Sequence, residues 1–327
     1  MLKEISIEII RKCPNSCIHC SSISNEYCSE VLDFGLFTDV IQNAAELGAR
    51  TICLSGGEPF LHNRIVDMVK FAASLGLQVY IYTSGIVLDE QNQRTFIDSG
   101  ILEAISEDVT KLIFNIEAAT AQTYDVIMGT TGCFEIMKQS VRNAHEMSII
   151  TEAHFVPMRL NIGEVEEVVA LCRDLNVSKI SFLRLVLHGR AQQNEVQIAL
   201  DHEEIEQLKA FLEKLKMQAE IDIRVGVPLS LETECRKCEA AKGKLNIKYD
   251  GKVYPCEVFK NERMSNCFKE IQPESIYDNS LVNIYNNSSY LRHVRKLEQE
   301  FLCTEKCETC IGQYMMQLEE KNTHGKK

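Results

Sequence analysis

Residues 5–20, ISIEIIRKCPNSCIHC, run an apolar strand-like stretch, Ile5–Ile10, straight into Cys13, Cys17 and Cys20, spaced C-x3-C-x2-C. Three thiolates on one short loop can wrap one corner of a cubane cluster. A [4Fe–4S] cluster normally takes four cysteines, so three leave one iron open to a substrate or cofactor. Zinc fits the same spacing, with His19 or a distant residue as fourth ligand. Spacing alone leaves both metals standing.

Outward from this stretch the chain alternates strand-like runs with helical periodicity as far as about residue 190. The strand candidates are Ile5–Ile10, Thr51–Leu54, Gln78–Tyr82, Lys111–Ile116, Ala153–Val156 and Lys179–Leu183. Between them Phe37–Leu47, Ile65–Leu75, Gln91–Ile97, Phe134–His145 and Val165–Leu175 read as helices. Such alternation implies parallel strands with crossover helices. Six units are too few for an eight-unit barrel, so the expected fold is α/β, an open partial (β/α)6 barrel. Chemistry then collects at the loops on the C-terminal side of the strands. His202–Lys216 reads as a further helix, with Leu208, Phe211 and Leu212 on one face. After it, Leu245–Tyr249 and Val253–Tyr254 flank an Asp250-Gly251 pair and predict a β-hairpin. The expected division is a barrel over 1–220, a small cysteine-rich domain over 221–320 and a polar tail over 321–327. No internal repeat or low-complexity segment interrupts it.

Bulk properties narrow the class. At 327 residues the chain can bury one substantial core and a smaller second unit. No apolar run approaches the roughly 20 residues of a membrane helix. The N-terminal MLKEISIEII has no long apolar stretch with a small-residue cleavage site, so a cytoplasmic protein is expected. Net charge is −12, which argues against sequence-independent nucleic-acid binding and leaves a basic peptide or a small neutral substrate. Fourteen cysteines without a secretion signal do not make a disulfide framework. Cys53 and Cys172 sit in apolar periodic segments and read as core. Cys28, Cys133 and Cys267 read as structural or inert thiols, and the remaining cysteines bunch at the two ends of the chain.

The second strand candidate ends in Ser55-Gly56-Gly57-Glu58-Pro59, one βα unit after the cysteine loop. Together, C-x3-C-x2-C with an aromatic-like residue (here His19) before its last cysteine and this Gly-Gly-Glu-Pro turn resemble the radical S-adenosylmethionine (SAM) superfamily. The resemblance implies that the turn receives the SAM methionine amine. Glycines let backbone carbonyls approach an ammonium closely, and Glu58 adds a negative charge. Thr83-Ser84-Gly85 is similar to the family's turn lining the SAM site. Glu117, in FNIEA, stands where relatives carry polar groups for the SAM ribose or carboxylate. Arg184 and Gly189-Arg190-Ala191 resemble the sixth-strand region of peptide-modifying members, and Arg184 would pair with the SAM carboxylate as a fork. The implied chemistry is reductive cleavage of SAM to a 5′-deoxyadenosyl radical that takes a hydrogen atom from the substrate, with an electron donor such as flavodoxin or ferredoxin.

The C-terminal cysteines are Cys235, Cys238, Cys256, Cys267, Cys303, Cys307 and Cys310. Cys238, Gly251 and Cys256 give C-x12-G-x4-C, which resembles the opening of the SPASM and twitch domains found behind many radical SAM barrels. Cys303-x3-Cys307-x2-Cys310 is similar to a shorter, twitch-like ending, and a full SPASM cysteine run is absent. The resemblance implies one auxiliary [4Fe–4S] cluster on Cys238, Cys256, Cys307 and Cys310, with Cys235 and Cys303 as substitutes. A zinc ribbon on Cys235-x2-Cys238 and Cys307-x2-Cys310 is the rival. It leaves Cys256 and Cys303 unexplained.

Enzymes so built include maturases of ribosomal peptides, which make crosslinks, thioethers or epimers, and small-molecule dehydrogenases. A peptide substrate is the leading expectation and a sugar or cyclitol alcohol the alternative. A non-catalytic metal-binding regulatory protein is the reading from another class. Because the strand at Ile5 begins almost at the first residue, a separate peptide-recognition protein, or a short substrate, is expected with a peptide substrate.

Overall fold

The computed structural model describes residues 1–226, 229, 238–260, 271–302, 310 and 312. Cys235, Cys267, Cys303, Cys307 and the tail 321–327 lie outside the described residues. The chain runs β1 (Glu4–Ile10), α1 (Phe34–Glu46), β2 (Thr51–Gly56), α2 (Ile65–Ser74) and β3 (Gln78–Thr83). A small hairpin follows, β4 (Val87–Leu88) with β5 (Arg94–Thr95), then α3 (Ser99–Ile105), β6 (Lys111–Asn115), α4 (Ala121–Met128) and α5 (Phe134–Glu146). Next come β7 (Thr151–Phe155), α6 (Val165–Asp174), β8 (Lys179–Phe182) and the short α7 (Arg190–Gln193) and α8 (Glu195–Ile198). The long α9 (His202–Gln218) leads to β9 (Asp222–Val225), β10 (Lys244–Ile247) and β11 (Val253–Tyr254).

One sheet takes in all the strands but β4 and β5, in the order β11-β10-β1-β2-β3-β6-β7-β8-β9. Among the described residues of this sheet only the β10–β11 pair is antiparallel, with Asn246 opposite Tyr254 and Ile247 opposite Val253, as the Asp250-Gly251 turn predicts. The six strand candidates all form, in the parallel arrangement expected. The sheet is extended beyond them by β9 on one edge and by β10–β11 on the other.

Strand periodicity decides which face is which. In β1, Ile5, Ile7 and Ile9 are wholly buried, whereas Glu4, Ser6 and Glu8 line a cavity. Phe37, Val40, Ile41 and Ala44 of α1 recur at helical spacing on the buried side. Asp33 caps that helix by accepting from Leu36 N at 3.1 Å. The inner face is polar, and at the starts of its strands the charges pair: Lys111 with Glu152 at 2.9 Å, Lys179 with Asp222 at 3.0 Å and Lys244 with Glu4 at 3.0 Å.

The helical reading changes in places. Gln91–Ile97 is no helix: Asp89 Oδ1 accepts from the backbone N–H of Gln91 and Gln93, and that turn folds Arg94 and Thr95 back onto Val87 and Leu88. Local side-chain bonding of this kind competes with helix. The helix Ala121–Met128, not anticipated, carries a Thr120 N-cap and a left-handed Gly129 at its end. Among the described residues no helix is long and apolar enough to cross a membrane.

Candidate active site

A cavity of about 560 Å3 occupies the inner face of the sheet. Cys13, Cys17 and Cys20 line it, together with Ser55, Gly56 and Gly57 from the end of β2 and Thr83 and Ser84 from the end of β3. The strand ends thus bring the cysteine loop and the glycine turn, 40 residues apart in sequence by Gly57 less Cys17, onto one wall.

The cysteine loop has no regular structure of its own and is held from outside. Ser16 N donates to Met128 O at 3.0 Å and Ile18 N to Ile127 O at 2.9 Å, so the end of α4 fixes its first half. Gly129 allows that approach, since a Cβ there would stand 2.5 Å from Ser16 O. The Arg190 guanidinium donates to Cys17 O at 2.7 Å and Ser24 O at 2.8 Å, and Asn194 donates to Ile18 O at 2.9 Å. Arg94 holds Pro14 O through two N–H groups at 3.0 and 2.8 Å. Sequence reasoning assigns nothing to Arg94 or Asn194, whose partners lie far off along the chain. Arg190 stands out in the sequence only as part of a motif.

The glycine turn is built differently from the expectation. Gly57 N donates to Ile10 O at 2.6 Å and Glu58 N to Lys12 O at 2.9 Å, so the turn continues the β1–β2 ladder into the cysteine loop. A Cβ on Gly56 would lie 2.1 Å from Ile10 O, and one on Gly57 2.1 Å from Lys12 O. Glycine is required here by the neighbouring backbone, whatever the turn also offers a ligand. Glu58 is wholly buried and spends both carboxylate oxygens on β3. Oε1 accepts from Thr83 Oγ1 at 2.7 Å, and Oε2 accepts from Ser84 N at 2.9 Å and Ser84 Oγ at 2.7 Å. Burial raises its pKa above the usual carboxylate value against these bonds. Glu58 therefore shapes the wall by tying β2 to β3, while Gly56, Gly57, Thr83 and Ser84 face the cavity.

Glu117, also wholly buried, accepts from Val156 N at 2.8 Å through Oε2 and turns Oε1 toward His19 Nε2 at 3.5 Å. Glu117 Oε1, His19 Nδ1 and both side-chain polar atoms of Asn15 are buried without a hydrogen-bond partner among the described residues. Buried polar atoms left unpaired beside a cavity point to a missing polar ligand. Arg184 follows β8 and does not line the cavity.

Burial pushes the Cys13 thiol up, with Cys17, Glu58 and Cys20 adding to it; Cys17 is raised by burial and by Cys20 against the pull of Arg190. The three thiols thus sense one another, yet among the described residues no three His, Cys, Asp or Glu side chains converge on a position for a single metal ion. Thiols, glycine backbone and unpaired buried polar atoms on one cavity fit a [4Fe–4S] cluster with an amino-acid-bearing ligand.

The second group sits beside the same sheet. Cys238 precedes β10, Cys256 follows β11, and Ala241 N donating to Pro255 O at 3.0 Å closes the two arms together. Burial pushes Cys256 up to about 12, with Cys310 and Cys238 adding to it, so three of the four proposed auxiliary ligands are neighbours. The fourth, Cys307, lies outside the described residues. Just beyond Cys256, Lys260 reaches back into the cavity and pairs with Glu8 of β1 at 2.6 Å; both are buried. This join is not legible in the sequence.

The radical SAM superfamily pattern matches residues 7–175, and SPASM, an iron–sulfur cluster-binding domain, matches residues 235–311. The chain is 26% identical over 308 residues to the PqqA peptide cyclase of Rhizobium meliloti (strain 1021), covering 93% of this chain and 78% of that one. Against the PqqA peptide cyclase of Gluconobacter oxydans (strain 621H) identity is 24%, covering 93% and 81%. Among solved structures, Streptococcus suis SuiB bound to SAM superposes with a TM-score of 0.74 at 13% identity, covering 91% of this chain and 68% of that one. The anSMEcpe protein with bound SAM and the Cp18Cys peptide gives 0.66 at 13% identity, covering 95% and 86%. At such identities the structural likeness speaks for the fold. The first domain brings a [4Fe–4S] cluster and SAM as cofactors, and the second brings auxiliary iron–sulfur clusters. The chain is an enzyme of the radical SAM superfamily, with a SPASM domain completing its sheet.

Proposed function

We propose that this enzyme abstracts a hydrogen atom from a ribosomally made peptide and so forms a crosslink, a thioether or an epimer. The curated relatives named PqqA peptide cyclase support a peptide substrate. So does the fold likeness to SuiB in its complex with the precursor peptide SuiA, at a TM-score of 0.73. The observation that carries the reading is that one cavity is lined both by the cysteine loop and by Lys260, four residues beyond Cys256.

In this reading Cys13, Cys17 and Cys20 hold the [4Fe–4S] cluster. Cys238, Cys256, Cys307 and Cys310 hold an auxiliary one. The bound cluster and SAM supply reductive cleavage to a carbon radical. The protein does the rest. Arg94, Arg190, Asn194 and the end of α4 fix the thiol-bearing loop, and Gly56, Gly57, Thr83 and Ser84 present polar backbone and side chains to SAM. Glu58 holds the β2 and β3 ends in register with that surface. His19 and Asn15, which line the cavity, offer buried polar atoms to the nucleoside, and Glu117 stands behind the lining, turned toward His19. The isoleucine-rich outer face and its helices keep water from the closed side of the sheet.

The test is iron content and 5′-deoxyadenosine formation under dithionite, on anaerobically reconstituted protein. Cys17→Ala is expected to lose about four irons and all 5′-deoxyadenosine. Cys256→Ala is expected to lose a similar number while retaining SAM cleavage uncoupled from substrate. Unaltered iron in either variant refutes that ligand assignment.

A further inference from the structure

Most cations of the cavity are engaged. Lys244 pairs with Glu4 at 3.0 Å and Lys260 with Glu8 at 2.6 Å, and Arg190 is taken up by carbonyls of the cysteine loop. Arg224, on β9, differs. It lines the same cavity with its side chain exposed to it, and among the described residues it makes no ion pair and no hydrogen bond.

Register says what stands beside it. Arg224 lies opposite Ser181 of β8, Ser181 opposite His154 of β7, and His154 opposite Asn115 of β6. Residues in register share a face of the sheet, and Asn115, His154 and Arg224 all line the cavity. Burial brings the His154 pKa down to about 3, with Arg224 and Lys111 adding to it, so the imidazole is neutral. The row therefore offers the cavity an amide and a neutral imidazole, and ends in a positive charge that makes no ion pair among the described residues. A guanidinium is a planar fork of donors whose matching partner is a carboxylate.

We propose that Arg224 is the docking point for a carboxylate of the substrate, an inference that rests on reading the cavity as a peptide-modifying site. SAM carries a carboxylate too, but its amino-acid end belongs beside the cysteine loop and the Gly56-Gly57 turn. From β2 to β9 the order β2-β3-β6-β7-β8-β9 takes five steps. At about 4.8 Å a step this is a path on the order of 24 Å along the sheet, so that within the one cavity Arg224 belongs to the edge strand opposite the glycine turn. The side of the cavity formed by β8 and β9 is left for the substrate. An acidic side chain or a peptide C-terminus would each supply the group.

The reconstituted, SAM-loaded full chain is titrated with three probes, followed by saturation-transfer NMR. N-acetylglutamate amide carries a side-chain carboxylate, N-acetylglutamine amide is its neutral isostere, and N-acetylalanine carries a terminal carboxylate. The better carboxylate probe is expected to bind about tenfold more tightly than the neutral one, and which carboxylate wins identifies the source. R224M is expected to abolish the preference and R224K to keep part of it, with SAM affinity unchanged in both. Equal binding of acid and amide probes, or a preference that survives in R224M, overturns the proposal. A tenfold loss of SAM affinity in R224M assigns Arg224 to SAM and overturns it equally. Should R224M not fold, phenylglyoxal labelling of the wild type replaces it: Arg224 is expected to react and to be shielded by a carboxylate probe but not by N-acetylglutamine amide. Formation of 5′-deoxyadenosine tests the reading of the site, whereas the titration needs no turnover, so each can fail alone.

Discussion

At the scale of single residues, the site depends on positions where a side chain has no room. A Cβ on Gly57 would meet Lys12 O at 2.1 Å and Arg11 O at 2.4 Å, both backbone atoms that cannot turn away. Gly57→Ala is expected to cost about 3 kcal/mol, at the upper end of overpacking, and to lower cluster loading by pushing the cysteine loop off β2. Gly163, where an added Cβ would meet nothing within 4 Å, is the control. Gly163→Ala is expected to stay within about 1 kcal/mol of the wild type and to load iron normally. Urea unfolding and iron analysis of the two variants check this; equal loading in both would mean the turn does not set the loop. The cysteines and the glycine turn are legible because each repeats a local spacing. What Gly57 and Glu58 do is not, since their partners, Lys12 O and the Thr83–Ser84 pair, meet them only after two strands have paired.

At the scale of elements, β1 carries the join between the two cysteine groups. Its Glu8 is 3% exposed and its partner Lys260 7%, and Ser22 Oγ donates to the same carboxylate at 2.7 Å. Lys260→Met leaves a buried carboxylate without its cation and is expected to cost about 3–5 kcal/mol. The double variant Glu8→Gln/Lys260→Met is expected to recover most of that loss, which a double-mutant cycle in urea would measure. The pH dependence has a definite sign. Burial pushes Glu8 up, but the Lys260 charge and the hydrogen bonds from Lys260, Ser22 and Tyr249 outweigh it and hold Glu8 below its ordinary value of 4.5. The pair's stabilisation is thus complete above pH 4.5 and is lost as pH falls through the lower folded value. In Lys260→Met the opposing charge and its hydrogen bond are gone and only Ser22 and Tyr249 still act against burial, so the folded carboxylate titrates higher than in the wild type and less stability is lost on acidification. The gap between wild type and variant should therefore close below pH 4.5; a constant gap would show that Glu8 is not the group left behind. Six strands are readable from apolar runs. The strand Asp222–Val225 is not, because its two apolar residues, Ile223 and Val225, alternate with Asp222 and Arg224 and form no run. In Gln91–Ile97 the helical reading loses to the Asp89 turn, a local side-chain bond that periodicity does not register.

At the scale of the whole molecule, the cysteine-rich C-terminal part is stitched into the sheet by β10, which pairs in parallel with β1 from Glu4–Lys244 to Ile7–Ile247. The composition shift near residue 220 marks a change of chemistry, while the sheet runs on through β9 beyond it. Two cysteine-bearing segments thus flank adjacent strands: the cysteine loop leaves β1, and Cys238 and Cys256 bracket the β10–β11 hairpin. A sheet shared in this way should unfold as one unit, since β10 cannot leave without exposing β1. Ile247 is wholly buried, and Ile247→Ala is expected to cost about 2–5 kcal/mol. If the described residues form one cooperative body, the loss appears in a single transition, and far-UV circular dichroism and iron–sulfur absorbance move together along the urea axis. Were the C-terminal part an appended domain, the substitution would split the curve, with one fraction of the cluster absorbance bleaching before the main sheet melts. Coincident curves would also explain how the cysteine loop and the hairpin between Cys238 and Cys256 keep a fixed separation: they leave neighbouring strands, about 4.8 Å apart, and are not joined by a linker alone.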